Sequence, residues 1–284
     1  MKIFGLPLIL VLFTSATLYA QQTGSLNSKR KLTNAIGMEF ELIEPGSMIV
    51  GRIALECPSP PDTRDVDESI RWTEEDFRRC EELKRRDSRP GFMVTIEQPY
   101  YMGKYEVTQG QWKKVMGTNP SFFQGNRVKG NTDMHPVESV TWEQTQAFIQ
   151  KLNAMDTTAV YRLPTEFEWE YAARAGAQEL LSWAETKEQA WIQASDKGST
   201  QPVGQLKPNP WGLYDMLGNV WEWVEDYYNN KVYPGPVPPH TGEVHVLRGG
   251  SFLADVVNAT YFFHAGGPGN SYDVGFRVVR EVKQ

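Results

Sequence analysis

The sequence predicts an α+β fold poor in regular structure, and three observations carry that expectation. Short stretches such as Met38-Glu-Phe-Glu-Leu-Ile43 alternate apolar and polar residues with the period of half-buried strands. Three Thr-x-x-Gln or Thr-x-x-Glu boxes open helical segments. Nine Trp, 24 Gly and 18 Pro among 284 residues predict many tight turns pinned by aromatic anchors, where a helix bundle would be richer in Leu and Ala. With 40% hydrophobic and 23% charged residues, one large domain is expected.

At the N-terminus, Met1-Lys2, an apolar run from Ile3 to Leu18 and Tyr19-Ala20 have the charged, hydrophobic and small-residue order of a secretory leader. The run falls short of the roughly 20 residues a membrane span needs, so cleavage after Ala20 is expected, with a single anchor as the alternative. Cleavage removes Lys2 and moves the formal charge from −6 to −7, with 28 Lys and Arg against 35 Asp and Glu. An acidic chain without a basic cluster repels phosphate backbones, which argues against a nucleic-acid partner. A periplasmic or secreted protein with no span after cleavage is the expectation.

Residues 21–33 are polar and aperiodic and read as a linker, leaving 34–284 as the domain. Met38–Ile43 and Ser47–Val50, separated by Pro45-Gly46, read as strand, turn and strand. Residues 52–90 break the pattern with Pro58, Pro60, Pro61 and a dense charged run, and read as an insertion carrying a solvated helix with Glu75–Arg79, Glu81–Arg85 and Glu82–Arg86 at i,i+4. Both cysteines, Cys57 and Cys80, fall in it. In an oxidising compartment a disulfide is expected, worth roughly 3 kcal/mol in the chain-entropy model, and two free thiols are the alternative. Val94-Thr-Ile96 and Tyr100–Thr108 read as strands. Thr108-Gln-Gly-Gln111, Thr141-Trp-Glu-Gln144 and Thr165-Glu-Phe-Glu168 open helices ending near Met116, Leu152 and Arg174. Beyond Gly176, loops and short strands are expected around Trp183, Trp191, Trp211, Trp221 and Trp223.

Six blocks carry a resemblance. Tyr101-Met-Gly-Lys-Tyr-Glu-Val-Thr-Gln, His135-Pro-Val-Glu-Ser-Val-Thr-Trp, Tyr161-Arg-Leu-Pro-Thr-Glu-Phe-Glu-Trp-Glu-Tyr-Ala-Ala-Arg, Asn209-Pro-Trp-Gly-Leu-Tyr-Asp-Met-Leu-Gly-Asn-Val-Trp-Glu-Trp, Leu247-Arg-Gly-Gly-Ser and Gly275-Phe-Arg follow one another in that order. Together they resemble the formylglycine-generating enzyme, or sulfatase-modifying factor, family. The resemblance implies one domain with a C-type-lectin-like fold, mixed α and β with much irregular chain.

The resemblance also implies a structural calcium on Asp215, Gly218, Val220 and Glu222, a spacing that joins two carboxylates and two carbonyls from one looped segment. Turn caps at Asp215 and Glu222 are the alternative. A second family calcium site would begin with Asn where Trp191-Ile192 stands, so a second ion is not expected.

The stretch Arg248–His264 is expected to form the functional face. Active family members carry two copper-binding cysteines after Arg-Gly-Gly-Ser, and counting from Ser251 places Ala254 and Ala259 there. Alanine offers neither a soft ligand for copper nor a thiolate, so no copper is expected. Ser251 and Trp221 match residues of the family's substrate groove, whereas Asp255 stands for a common His and Asp273 for an Asn. The expected groove comprises Trp221, Arg248, Ser251, Ala254, Asp255, Ala259, Tyr261 and Asp273, with Tyr261, Phe262, Phe263 and Trp221 as aromatic anchors. Two functions remain open. One is a binding or accessory module for a peptide, glycan or partner protein. The other is a repurposed enzyme, since the family includes a periplasmic pyoverdine-maturation enzyme and iron-dependent sulfoxide synthases; its candidate groups are Asp255, Asp273, His264, His245 and His240.

Overall fold

A computed structural model of the chain describes residues 30–51, 74, 78, 81, 91–178, 181–195, 197–228, 237–254, 259–261, 263–267 and 269–282. The expected leader, the Cys57–Cys80 disulfide, Phe262 and Asp255 lie outside the described residues, and of the charged run only Glu74, Arg78 and Glu81 are described, each helical as expected. At its C-terminal end the expected linker is shorter than read, because Lys31–Thr33 is strand β1.

Three sheets form the frame. The first has the order β1-β2-β5-β11-β6, with β2 Glu39–Ile43, β5 Tyr100–Gly103, β11 Val279–Glu281 and β6 Tyr161–Arg162, all pairs antiparallel. The second has the order β10-β7-β8-β9, with β7 Trp221–Tyr227, β8 His245–Arg248, β9 His264–Gly266 and β10 Val274–Phe276; only β10 and β7 are parallel. The third is the ribbon of β3 Gly46–Val50 and β4 Phe92–Ile96. Strand character around Pro45 is as expected, but the pairing differs. β2 joins β1 and β5, and β3 pairs with β4 from beyond the insertion, so the two neighbours in sequence belong to different sheets.

All three expected helices form, each with a reciprocal cap. α1 (Gln109–Met116) is capped by Thr108 and Gln111, α2 (Trp142–Met155) by Thr141 and Gln144, and α3 (Glu166–Arg174) by Thr165 and Glu168. Each such cap is worth about 1 kcal/mol. α1 stops at Gly117 (φ 76°) and α3 at Ala175 (φ 48°), both in the left-handed region. A fourth helix, α4 (Trp183–Gln189), occupies chain read as loop; its box is Ser182 with Glu185.

Two apolar clusters fill the interior. One surrounds Trp169 and Phe167 with Met102, Val224 and Tyr261, and the other packs Trp112, Phe148, Phe276 and Tyr161 between α2 and the first sheet. Trp112 and Phe148 stack at 5.3 Å. Among the described residues no helix is long and apolar enough to cross a membrane.

Candidate functional site

The second sheet and α3 build the site from opposite sides. Register aligns Gly275, Glu222, Arg248 and His264 in one row across β10, β7, β8 and β9. Residues in register project to the same face, and this row meets Glu166, Trp169 and Glu170 of α3, which sit at i, i+3 and i+4 on one helix face. Charged side chains are therefore buried between sheet and helix, and each is held by a partner. Glu222 accepts from Arg277 Nε (2.6 Å), Arg277 Nη2 (2.6 Å) and Trp169 Nε1 (2.7 Å). Arg248 pairs with Glu170 and with Glu166 (3.4 Å) and lies over the Trp169 ring at 5.3 Å. Glu170 also pairs with Arg174. His264 Nδ1 is 2.7 Å from Glu166 Oε1, while Glu166 Oε2 is buried without a hydrogen-bond partner.

At the helix start, Asp226 accepts from the Glu166 amide at 2.5 Å. Burial pushes the Asp226 carboxyl up to about 6, against the downward pull of that hydrogen bond and with further upward pushes from Glu166, Glu225 and Glu168. A folded-state value above the unfolded one means stability present below about pH 4 and lost as pH rises through about 6. Asp226→Asn keeps an acceptor for the amide without a charge. It is expected to gain about 1–2 kcal/mol over wild type above pH 7, discounted for partial exposure, and nothing below pH 4; urea melts at the two pH values check this.

Beyond β8 the chain reverses at Gly249 (φ 92°) and Gly250 (φ 77°). A Cβ on Gly249 would stand 3.0 Å from the Met216 carbonyl oxygen, so this close approach needs glycine. The turn delivers Ser251, whose hydroxyl donates to Asp273 (2.8 Å) and accepts from the Leu253 amide (3.2 Å). Asp273 also accepts from the Ser271 hydroxyl (2.5 Å), and Glu138 accepts from the Phe123 amide (2.7 Å) and the Ser139 hydroxyl (2.7 Å). Burial raises the Glu138 carboxyl, and nearby Asp273 adds to the rise.

Over these hydroxyls and carboxylates lies an aromatic cluster. Phe123 contacts Phe252 (5.3 Å) and Phe122 (5.1 Å), and Phe122 contacts Tyr272 (5.7 Å). Phe122 (44% exposed), Leu253 (44%) and Tyr272 (45%) present this cluster to solvent. Phe122 and Tyr272 adjoin, with the Arg127 guanidinium over the Phe122 ring at 4.3 Å, and exposed apolar groups beside polar ones are a common form of recognition surface.

The expected groove residues divide accordingly. Trp221 is half-buried against Phe263 (5.9 Å), and Asp273 is half-buried beside Ser251. Arg248, Ser251 and Tyr261 are buried and cannot line an open groove: two carboxylates hold Arg248 under the sheet, and Tyr261 packs in the apolar core. Ala254 (6% exposed) and Ala259 (1%) belong to the same core. Tyr261 is thus no surface side chain, whereas Phe122, Leu253 and Tyr272 are exposed. The pair Phe122-Phe123 in a loop was the available signal, since adjacent aromatics rarely both find core. His245 is stacked between Trp142 (3.8 Å) and Tyr227 (4.2 Å), and docks α2 on β7 and β8; His240 is exposed.

The expected calcium residues adjoin the buried layer. Asp215 Oδ2 accepts from the Gly204 amide (2.7 Å), and Oδ1 is buried without a partner. Glu106 approaches from β5's far end and accepts from the Val220 amide (3.1 Å) and the Asn219 side chain (2.7 Å). Glu106, Asp215 and Glu222 set three carboxylates against the one guanidinium of Arg277, all buried. Burial pushes Asp215 up to about 6 and raises Glu106, which Asp215 and Glu222 raise further. The orphaned Asp215 oxygen in an acidic excess is the one feature here that suits a cation, since both Glu222 oxygens are engaged by Arg277 and Trp169. Among the described residues no three His, Cys, Asp or Glu side chains stand together as a metal site.

Known proteins resemble the chain in sequence and fold. The family model described as the sulfatase-modifying factor enzyme 1-like domain matches residues 55–282. The chaperone protein LppX of Paenibacillus barcinonensis is 32% identical, covering 64% of this chain and 80% of that protein. The formylglycine-generating enzyme of Streptomyces coelicolor is 35% identical, over 50% of this chain and only 50% of the enzyme. Variable protein 1 of Treponema denticola superposes with a TM-score of 0.69 at 26% identity, covering 89% of this chain and 99% of that structure.

Proposed function

Because the chain belongs to the sulfatase-modifying factor enzyme 1-like family, we propose that it is an exported binding or accessory module of that family, without copper-cysteine oxidase chemistry. One observation carries the reading. Ala254 and Ala259, at the positions the family resemblance assigns to the redox cysteines, are methyl groups packed in the core. No thiolate is offered there to copper or to a substrate cysteine. The description of LppX as a chaperone is in keeping with an accessory role.

The ligand surface in this proposal is the patch of Phe122, Leu253 and Tyr272, with Trp221 and Asp273 beside it, and the ligand is a peptide, a glycan or a partner protein. Arrays of glycans and peptides probed with the protein and with its Phe122→Ser/Tyr272→Ser variant test it. Aromatic anchors of this kind carry about 2 kcal/mol each, so at least one ligand class should bind and lose tenfold or more in the variant. Binding that ignores both substitutions would sink the proposal.

A second reading rests on Glu166 and His264. A carboxylate that fixes one ring nitrogen of a partly exposed histidine is the orienting half of a general base. In that reading the chain is a repurposed enzyme, and His264→Gln abolishes turnover while leaving array binding intact.

One structural calcium completes the proposal. Asp215, Gly218, Val220 and Glu222 would hold it, and its charge would offset the acidic excess around Arg277. Chelation with EGTA is expected to lower Tm by about 5 °C, with recovery in calcium and not in magnesium. An unchanged Tm together with no calcium by elemental analysis would remove the ion from the proposal.

A further inference from the structure

We propose that the free edge of β4 and the cavity beside it dock an extended, basic peptide segment, which adds to β4 as a further strand. β4 belongs to a two-stranded ribbon and pairs on one side with β3. On its other side no backbone hydrogen bond reaches Phe92–Ile96 from any described residue. In an antiparallel pair about half of a strand's N–H and C=O groups point away from its partner, so this edge offers an unfilled ladder.

The edge opens on a cavity of about 640 Å³, in the range of ligand sites. Val94, Thr95 and Ile96 all line it, although Val94 and Ile96 face the core and Thr95 faces solvent. A cavity that runs along the edge of the strand and past its end meets residues of both faces. The opposite wall is Phe167 and Glu168 of α3, Arg162 of β6 and Glu281 of β11. One side of an added strand would place alternate side chains against Val94, Ile96 and Phe167.

Charge selects the occupant. Among the described residues, Glu97, Glu168 and Glu281 line the cavity against one cation, Arg162. Arg162 is already committed, bidentate to Glu168 (2.6 and 2.7 Å) and through Nε to Glu281 (3.1 Å). Glu97 is exposed and has no ion pair among the described residues, so the described lining keeps an acidic excess. A second copy of this chain, itself at −6, is disfavoured there, and a segment alternating basic and apolar residues is favoured. The site shares no lining residue with the patch of Phe122, Leu253 and Tyr272, so it stands or falls independently of the proposed function.

The test uses the full chain and a fluorescent hexapeptide of alternating lysine and valine, with a glutamate–valine peptide as control. The lysine peptide is expected to bind, to slow amide exchange at residues 93–97, and to bind at least tenfold more weakly to Glu97→Lys. N-methylation of its three lysine amides or of its three valine amides should abolish binding in one case and spare it in the other, because only one set faces the edge. Equal binding of the glutamate peptide, or indifference to both methylated forms, would overturn strand addition. So would slow exchange, in the protein alone, at those amides of 93–97 that point away from β3, which would mean the edge is already paired. A concentration-dependent dimer lost in Glu97→Lys would overturn it in favour of a second copy.

Discussion

Arg248→Met is expected to cost about 3–5 kcal/mol of folding stability, measured by urea denaturation, because it leaves Glu166 and Glu170 buried without their shared cation. The size follows from burial rather than from the strength of the pair. Between α3 and the second sheet no water can replace the guanidinium, and Arg174 and His264 each serve only one of the two carboxylates. Methionine keeps much of the packing over Trp169, so the loss reports charge and not a cavity. Adding Glu170→Gln to Arg248→Met should recover at least 1 kcal/mol, since a neutral amide costs less to bury than an unpaired carboxylate. If the single variant loses under 1 kcal/mol, the buried charge layer does not hold the sheet to α3.

Gly218→Ala is expected to be as damaging for a steric reason. Its Cβ would fall 2.1 Å from the Trp191 carbonyl oxygen and 2.7 Å from the carbonyl carbon, and φ is +78°. Those atoms are backbone, fixed by the Asn219 amide that donates to the same oxygen at 2.7 Å. Gly117 separates the two costs: its φ is +76°, but nothing lies within 4 Å of its Cβ position. Gly117→Ala should lose about 1 kcal/mol from the left-handed backbone alone, and Gly218→Ala about 3 kcal/mol or more. Thermal melts of the two variants make the comparison, and equal losses would discard the steric argument.

How much could be read in the chain depended on how local each determinant is. The caps at Thr108, Thr141 and Thr165 are spelled within four residues, and all three helices follow. The box Ser182 to Glu185 obeys the same rule and opens α4. Strand character around Pro45 was visible, but partners were not: β5 pairs with β11, some 180 residues on, and nothing in either segment names the other. The same holds for the site. Arg248 is expected in the groove because it opens the Arg248–His264 stretch, and its burial is decided by Glu170, 78 residues away. Of the exposed apolar side chains, Leu253 belongs to the stretch Arg248–His264, while Phe122 and Tyr272 come from loops outside it that no local pattern ties to it.

The absence of copper-cysteine chemistry is tested most directly by offering the reaction everything but the protein's own sulfur. The purified chain, loaded with Cu(I) in aerated buffer, is incubated with a peptide carrying the sulfatase cysteine motif, and the peptide is weighed by mass spectrometry. With Ala254 and Ala259 in the core, the cysteine is expected to remain unconverted. Formylglycine in the product, above the level of copper alone, would contradict that claim.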